Sequence, residues 1–269
     1  MKFSIIIPTF NQIFYLEHCL QNILQQNYSN FEIILIDGGS TDGTTNLIEK
    51  YAKKYSQITY WESKKDNGQA DAINKGMKKC SGDWITWQNC DDYYANANVL
   101  DIFYDSIKNN PQKKLFVANI NLVNNKKDII RDIKFVTPNL FSFVYEGMTF
   151  TNQAAFWSRD IQEEIGFMEN TRINFDYEWF MRILSKYPRK GFHINETLGC
   201  YRIHDNQKTK NQTEEDHRIK MNFRKKYGFS NRFIFLKILL LKIRRLILYI
   251  IQGNIFYVVR GIFYFLFKK

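Results

Sequence analysis

The chain has 269 residues, enough for one sizeable core with an appended subdomain. Its formal net charge is +11, but the last acidic residue is Asp216 and about thirteen Lys and Arg residues follow it. The body of the chain is therefore nearly balanced in charge, which argues against nucleic acid as a partner. Four scattered cysteines without a C-x-x-C pair argue against a zinc site or a disulfide framework and favour a reducing compartment. The N-terminal apolar run, interrupted by Pro8, does not have the pattern of a secretory signal peptide.

Apolar runs and apolar residues at helical spacing alternate through the first part of the chain. The runs predict buried strands at residues 3–9, 31–36, 58–62 and 84–87. The helical spacing and the capping residues predict helices at 15–26, 42–55 and 70–79. This β-α-β-α alternation predicts an α/β fold with a doubly wound, mostly parallel sheet.

Polar side chains follow three of the predicted strands, namely Thr9, Asp37, and Asp91 with Asp92. Ligands of such sheets gather outside the carboxyl ends of the strands, so these side chains are candidates for one site. Neither a G-x-G-x-x-G dinucleotide motif nor a P-loop is present, so a bound diphosphate would need a metal for charge neutralisation. Asp91 and Asp92 could hold Mg²⁺, which takes one or two carboxylates plus substrate phosphates. The alternative for this pair is a solvated Asp-Asp turn.

Four motifs, in order, resemble those of inverting glycosyltransferases of the large GT-A-fold family 2. They are S-I-I-I-P-T-F-N at 4–11, D-G-G-S-T-D-G-T at 37–44, D-N-G-Q-A-D-A-I-N-K-G at 66–76 and W-Q-N-C-D-D at 87–92. Many members of that family build bacterial surface polysaccharides from nucleotide sugars. The resemblance implies a GT-A catalytic domain at 1–216, with a nucleotide-sugar half at about 1–100 and an acceptor half at about 101–216.

The resemblance also implies roles in binding the nucleotide. Pro8 and Thr9 would line the base pocket, and Asp37 would accept a hydrogen bond from the base ring. Gly68 and Asp71 would lie beside the nucleoside.

The acidic motif at 87–92 implies a metal site for Mn²⁺ or Mg²⁺. Asp91 and Asp92 match it, with Asp92 as the expected direct ligand. Asn89 departs from the family, where many relatives carry Asp, and this puts the metal affinity in doubt. Ile73 is a second departure, because many relatives carry Arg there.

In the second half, Asp176 aligns with the catalytic base of the family, and Glu178 is the next candidate. The alternative for Asp176 is a solvated acid that favours the start of a helix. His204 lies where relatives place a loop that closes over the diphosphate; the alternative is a structural histidine. Residues 150–158 resemble a loop and strand that face an acceptor, with an ordinary core strand as the alternative.

Together these motifs imply a metal-dependent hexosyl- or N-acetylhexosaminyltransferase. The default donor is a UDP-sugar, with GDP- and dTDP-sugars as open alternatives, and the acceptor is a hydroxyl of a glycan or of a lipid-linked molecule. One alternative is a nucleotidyltransferase, but the loop at 9–12 is not rich in glycine and lysine. Another is a non-catalytic sugar- or membrane-binding scaffold, although Asp92 and Asp176 are both retained.

Residues 217–269 form a basic tail, within which 232–269 is predicted to lie on an anionic membrane surface without spanning it. On a helix, the basic residues fall within an arc of about 160° and the apolar residues lie opposite. The longest uncharged run, 246–259, is shorter than the roughly 20 residues of a spanning helix. The basic residues of the arc are Lys237, Lys242, Arg244 and Arg245.

The tail pattern predicts an in-plane helix with a break near Gly253 and a second segment. We therefore expect a peripheral protein at the cytoplasmic face of the bacterial inner membrane. The alternative is a helical pair that packs on the catalytic domain or in a homodimer interface.

Overall fold

The computed structural model describes residues 1–205, 213–230 and 232–267, and its first half alternates strands and helices as predicted. The predicted elements all form, with ends shifted by a few residues. They are β1 (Phe3–Thr9), α1 (Ile13–Leu24), β2 (Phe31–Asp37), α2 (Thr44–Lys54), β3 (Ile58–Ser63), α3 (Gln69–Met77) and β4 (Trp84–Trp87).

The second half mixes short strands with longer helices. It contains β5 (Tyr93–Tyr94), α4 (Val99–Asn109), β6 (Leu115–Val123), β7 (Ile129–Ile133), α5 (Leu140–Glu146), β8 (Ala155–Ser158), α6 (Arg159–Ile165), α7 (Phe175–Lys186) and β9 (Gly191–Arg202). A 3-10 turn at Asn152–Ala154 leads into β8. The helices α8 (Thr213–Lys226), α9 (Ile234–Ile251) and α10 (Ile255–Phe267) follow.

The strands of the described residues form one sheet in the order β3-β2-β1-β4-β8-β6-β9-β5, with β7 paired to β6. The α/β fold with a doubly wound sheet is confirmed, and β3, β2, β1 and β4 run parallel. Beyond β4 the sheet becomes mixed, because β8 pairs antiparallel with both β4 and β6. The register pairs Thr9 with Asp37, so the polar ends of β1 and β2 lie side by side.

An aromatic cluster joins the two halves of the sheet. The ring of Trp87 lies 5.4 Å from that of Trp157 on β8 and stacks 5.6 Å from that of Phe180 on α7. All three side chains are buried. This packing brings the start of α7 close to the loop that follows β4, which is how acids from distant parts of the sequence reach one cleft.

Helix α8 packs on the catalytic domain rather than beginning a separate tail. The predicted boundary at 216 falls inside this helix, Phe223 of α8 is in the core, and Tyr227 Oη donates to Glu178 at 2.7 Å. The expected break of the tail forms at Gly253, which adopts a φ of +75° between α9 and α10. Residues 206–212 of the predicted catalytic domain, and 231, 268 and 269 of the predicted tail, lie outside the described residues.

Three residues of the basic arc of α9 face the catalytic domain, as in the alternative of a tail packed on that domain, while Lys242 is exposed. Arg245 pairs with the buried Glu146 at 3.1 Å, and Lys237 Nζ donates to Tyr145 Oη at 3.1 Å. The apolar face therefore points outward. Across the described ranges, no helix is both long enough and apolar enough to cross a bilayer.

Candidate active site

The carboxyl ends of β1, β2 and β4 open into a cavity of about 620 Å³, which we call the donor cavity. Three of the predicted nucleotide-binding residues, Pro8, Thr9 and Gly68, line it, as does Asp91. The remaining lining residues are Phe10, Gln12, Gly38, Gly39, Lys65, Asp66, Gln69, Ala72, Asn89, Cys90 and Tyr201. The convergence of strand ends expected from the sequence is therefore present.

Asp37 is fully buried and does not line the donor cavity. Its carboxylate accepts from the Ser40 backbone N–H at 2.9 Å and from the hydroxyls of Ser40 and Ser63, each at 2.5 Å. These bonds fold the loop of Gly38 and Gly39 over the cavity wall. In this structure Asp37 shapes the pocket through that loop.

Asp71 also lies outside the lining of the donor cavity. Its Oδ2 accepts from the Asn67 backbone N–H at 3.0 Å and pairs with Lys75 at 3.4 Å. These contacts lower its pKa, although partial burial opposes them. An acid in the first turn of α3 with these partners stabilises the start of the helix.

Sequence reasoning missed two cavity residues, Phe10 and Asp66. A Cβ placed on Gly38 would lie 2.9 Å from Asp66 Oδ2 and 3.2 Å from Phe10 Cδ2, so a larger residue here would force these side chains to move. Phe10 is 59% exposed, which leaves its ring available to a flat ligand such as a base. Both residues lie within or beside the quoted motifs, but nothing in the motifs showed which side chains point inward.

Asp91 and His204 meet at the edge of the donor cavity. His204 Nε2 lies 3.0 Å from Asp91 Oδ2, and the His204 ring packs against Tyr15 with centroids 5.0 Å apart. The Asp91 side chain is 18% exposed, so its carboxylate reaches the cavity. A carboxylate oxygen and an imidazole nitrogen this close together can share one cation.

Asp92 is fully buried behind Asp91, and both of its oxygens are occupied. Oδ1 accepts from the Arg202 backbone N–H at 3.0 Å. Oδ2 accepts from Gln153 Nε2 at 2.7 Å and from Asn89 Nδ2 at 3.1 Å. Burial and the Asp91 charge raise the pKa of Asp92, and the three N–H donors oppose that rise.

Asn89 bridges the donor cavity to this buried acid. Its Oδ1 accepts from Gln69 Nε2 at 2.8 Å while its Nδ2 donates to Asp92. An Asp at this position would place a carboxylate against the Asp92 carboxylate and lose the donated bond. The amide is thus compatible with this arrangement, and the departure from the family motif has a physical reason.

A second cavity of about 580 Å³ adjoins the first, and we call it the acceptor cavity. Gln69, Asn89 and Tyr201 line both cavities, so the two form one cleft. Much of its wall is apolar, and the remainder carries neutral polar groups and charged groups. The apolar residues include Trp87, Ile120, Leu122, Ile133, Phe135, Met148, Ile173 and Phe175, and the charged residues are Arg172, Asp176, Asp216 and Lys220.

Asp176 stands at the start of α7 and lines the acceptor cavity, as predicted for a base. Its Oδ1 accepts from the Tyr177 backbone N–H at 2.8 Å. Burial raises the pKa of Asp176, while that hydrogen bond and Lys220 oppose the rise. A base whose pKa moves toward the working pH transfers protons more effectively. Sequence reasoning missed Lys220 and Asp216 of α8, because that helix straddles the predicted boundary.

Glu178 is fully buried and points away from this cavity. It pairs with Arg182 at 3.0 Å and accepts from Tyr227 Oη at 2.7 Å. Its role is structural, and Asp176 is the candidate base of the two.

The family model of Glycosyl transferase family 2 matches residues 4–181, which is more than half of the chain. The chain belongs to this family. Family membership favours a glycosyltransferase over the nucleotidyltransferase alternative.

Relatives in sequence match the first part of the chain. An uncharacterized glycosyltransferase of Rickettsia bellii is 41% identical over 98 residues, which cover 36% of this chain and 14% of that protein. A PGL/p-HBAD biosynthesis glycosyltransferase of Mycobacterium bovis is 37% identical over 98 residues, covering 36% of this chain and 38% of that protein. The matches span well under half the length of these relatives.

Two solved structures share the fold at 17% sequence identity. One is S. aureus TarS 1–349 in complex with UDP-GlcNAc, with a TM-score of 0.63, covering 77% of this chain and 60% of that chain. The other is a mannosyltransferase of Pyrobaculum calidifontis in complex with GDP-Man and Mn²⁺, with a TM-score of 0.57, covering 81% and 60%. The predicted GT-A fold is confirmed.

Proposed function

We propose that the protein transfers a hexosyl or N-acetylhexosaminyl group from a nucleoside-diphosphate sugar to an acceptor hydroxyl, with inversion. The arrangement that carries this proposal is the divided cleft. Asp91 lines the donor cavity, Asp176 lines the acceptor cavity, and Asn89 lies in both walls. A sugar held across that junction would present its anomeric carbon to both sides.

A UDP-sugar is the first donor to test, because S. aureus TarS, which shares this fold, was crystallised with UDP-GlcNAc. A GDP-sugar is the second, because the Pyrobaculum enzyme holds GDP-Man. In either case the base would pack near Phe10, Gly38 and Asp66, and the diphosphate would extend toward Asp91.

In the proposed step, the acceptor oxygen attacks the anomeric carbon and forms the new glycosidic bond. The bond between that carbon and the diphosphate oxygen breaks, and its electron pair leaves with the nucleoside diphosphate. Asp176 takes the acceptor proton, which requires its carboxylate to be ionised. Lys220, whose charge lowers the Asp176 pKa, favours that form.

Asp91 and His204 fit a divalent cation better than Asp92 does. Asp92 has no exposed surface and already accepts three hydrogen bonds, whereas Asp91 reaches the cavity beside an imidazole nitrogen. No cluster of three or more His, Cys, Asp or Glu ligands occurs among the described residues, so substrate phosphates would have to complete the coordination. When bound, Mn²⁺ or Mg²⁺ would neutralise charge on the leaving diphosphate.

The apolar wall of the acceptor cavity supports an acceptor with an apolar portion, such as a lipid-linked glycan. Trp87, Phe135 and Met148 would contact that portion while Asp176 meets the hydroxyl. A soluble sugar acceptor would leave much of this wall uncovered.

The direct test is a panel of nucleotide sugars incubated with purified protein and Mn²⁺ or Mg²⁺, read out as nucleoside diphosphate release. We expect release from one donor class that rises when a lipid-linked acceptor is added. If wild-type protein releases no more diphosphate than Asp176→Asn with any donor, acceptor and metal, the proposed reaction is refuted.

A further inference from the structure

Helix α9 is attached to the catalytic domain by polar contacts and by Ile234, Ile238 and Leu241, which pack against the core. Arg245 pairs with Glu146, whose side chain is only 4% exposed. Tyr249 Oη donates to the Lys134 carbonyl at 2.7 Å, and Lys237 Nζ donates to Tyr145 Oη. These contacts orient the helix and leave its opposite face without cover.

The break between α9 and α10 is fixed by a second set of polar contacts. Gln252 Nε2 lies 3.0 Å from His193 Nδ1, and Asn195 Nδ2 donates to the Gln252 carbonyl at 2.9 Å. Asn254 Nδ2 donates to Asn195 Oδ1 at 2.8 Å. The turn at Gly253 is therefore anchored on β9, and both helices take defined directions.

The outward face of α9 and the start of α10 is mostly apolar. Thirteen large apolar residues between 233 and 259 are exposed by 41–88%, which is far more than isolated exposed side chains would give. Phe235, at 88%, and Phe256, at 84%, are the most exposed of them. We call this surface the apolar tail face.

We propose that the apolar tail face inserts into the interfacial layer of a lipid bilayer and holds the catalytic domain at the membrane surface. The exposed charges of the tail are basic, including Arg232 and Lys242, and no acidic residue follows Asp216. Basic side chains beside an inserted apolar face meet lipid phosphates favourably. A second copy would instead bring like charges together with no acid on α9 or α10 to compensate.

The orientation of α9 changes the expected mode of attachment. Lys237 and Arg245 are engaged with Tyr145 and Glu146, so they are not free to attract anionic lipid. Apolar insertion then carries most of the binding, and binding persists in high salt. A surface held only by lysines and arginines would be released by salt.

The test uses the full chain and vesicle flotation. Vesicles of phosphatidylcholine alone, and mixed with phosphatidylglycerol, are compared at low and high salt. Deleting the tail would leave the buried Glu146 without Arg245, so point substitutions are preferable. Phe235→Ser with Phe256→Ser changes the apolar tail face, and Phe14→Ser is the matched control because Phe14 is 79% exposed on α1.

We expect wild type and Phe14→Ser to float with both vesicle types in high salt. Binding should fall by roughly ten-fold for each tail phenylalanine removed. Binding that needs phosphatidylglycerol and disappears in high salt would overturn the proposal, as would unchanged flotation of the double variant. A lipid-independent dimer that the double variant abolishes, without vesicle binding by wild type, would assign the face to a second copy instead.

Discussion

Replacing Asp91 or Asp92 by Asn should have different effects: Asp92→Asn should lower stability, and Asp91→Asn should remove the metal-dependent step. In Asp92→Asn, an amide nitrogen at the Oδ1 position faces the Arg202 backbone N–H, which cannot turn away. At the Oδ2 position it faces Gln153 and Asn89. Gln153 can turn and offer its Oε1, which makes no hydrogen bond within the described chain. Asn89 cannot turn without losing its bond from Gln69.

Either orientation of the new amide therefore leaves at least one buried donor unpaired, at a cost of about 1–3 kcal/mol in the free energy of unfolding. For a chain of 269 residues that corresponds to a melting temperature lower by about 2–5 °C. Asp91→Asn removes a partly exposed charge beside His204, so its unfolding free energy should stay within about 0.5 kcal/mol of wild type. Asp91→Asn should instead lose binding of the divalent metal, and with it metal-dependent turnover.

Thermal unfolding followed by circular dichroism measures the first effect, and calorimetric titration of Mn²⁺ in the presence of UDP measures the second. The reasoning fails if Asp92→Asn has the melting temperature of wild type and binds no Mn²⁺, while Asp91→Asn binds Mn²⁺ normally. That result would make Asp92 the direct ligand, as the motif alone implies.

Three further predictions concern the cleft. Asp176→Asn should lower kcat by a factor of about 10²–10⁴ and leave the donor KM unchanged. In wild type, kcat/KM should fall as the pH drops through a pKa above the ordinary aspartate value, because the protonated acid cannot accept the proton. A kcat/KM that stays constant at acidic pH would exclude the base role. Asp37→Ala should raise the donor KM far more than it lowers kcat, since the loop at Gly38 loses its acceptor, and Asp66→Ala tests direct contact with the donor. Protein treated with EDTA should lose turnover and recover it with Mn²⁺, and full activity in EDTA would remove the metal from the proposed function.

Local periodicity was sufficient for the first half of the fold. The runs at β1 and β2 are apolar and continuous because both faces of these strands are covered. They could therefore be predicted as strands without knowing which strands pair with them. Pro8, Thr9 and Gly68, which the family motifs singled out, all line the donor cavity. The antiparallel pairing of β8 with β4 and β6 was not predictable, because the sequence of a short strand does not show whether its neighbours run parallel or antiparallel to it.

The motif could not predict that Asp91 would reach the cavity while Asp92 would be buried and hydrogen-bonded. Which of two consecutive acids points inward depends on donors 61 and 110 positions away, in Gln153 and Arg202. The same holds for Asp37, whose hydroxyl partner Ser63 lies on β3. A motif fixes the residue types at a strand end, whereas the buried donors decide which side chains remain free for a ligand.

The tail shows the same limit at a larger scale. Helical periodicity separated a basic arc from an apolar face. The pattern does not show which of the two faces contacts the rest of the protein, and nothing else in the tail sequence shows it. The deciding groups lie elsewhere: the Glu146 carboxylate, buried at the end of α5, needs a cation, and Arg245 supplies it. Once that pair forms, the apolar side must face outward. An amphipathic helix placed beside a buried acid is therefore oriented by the acid, and its apolar face is left for whatever lies outside the protein.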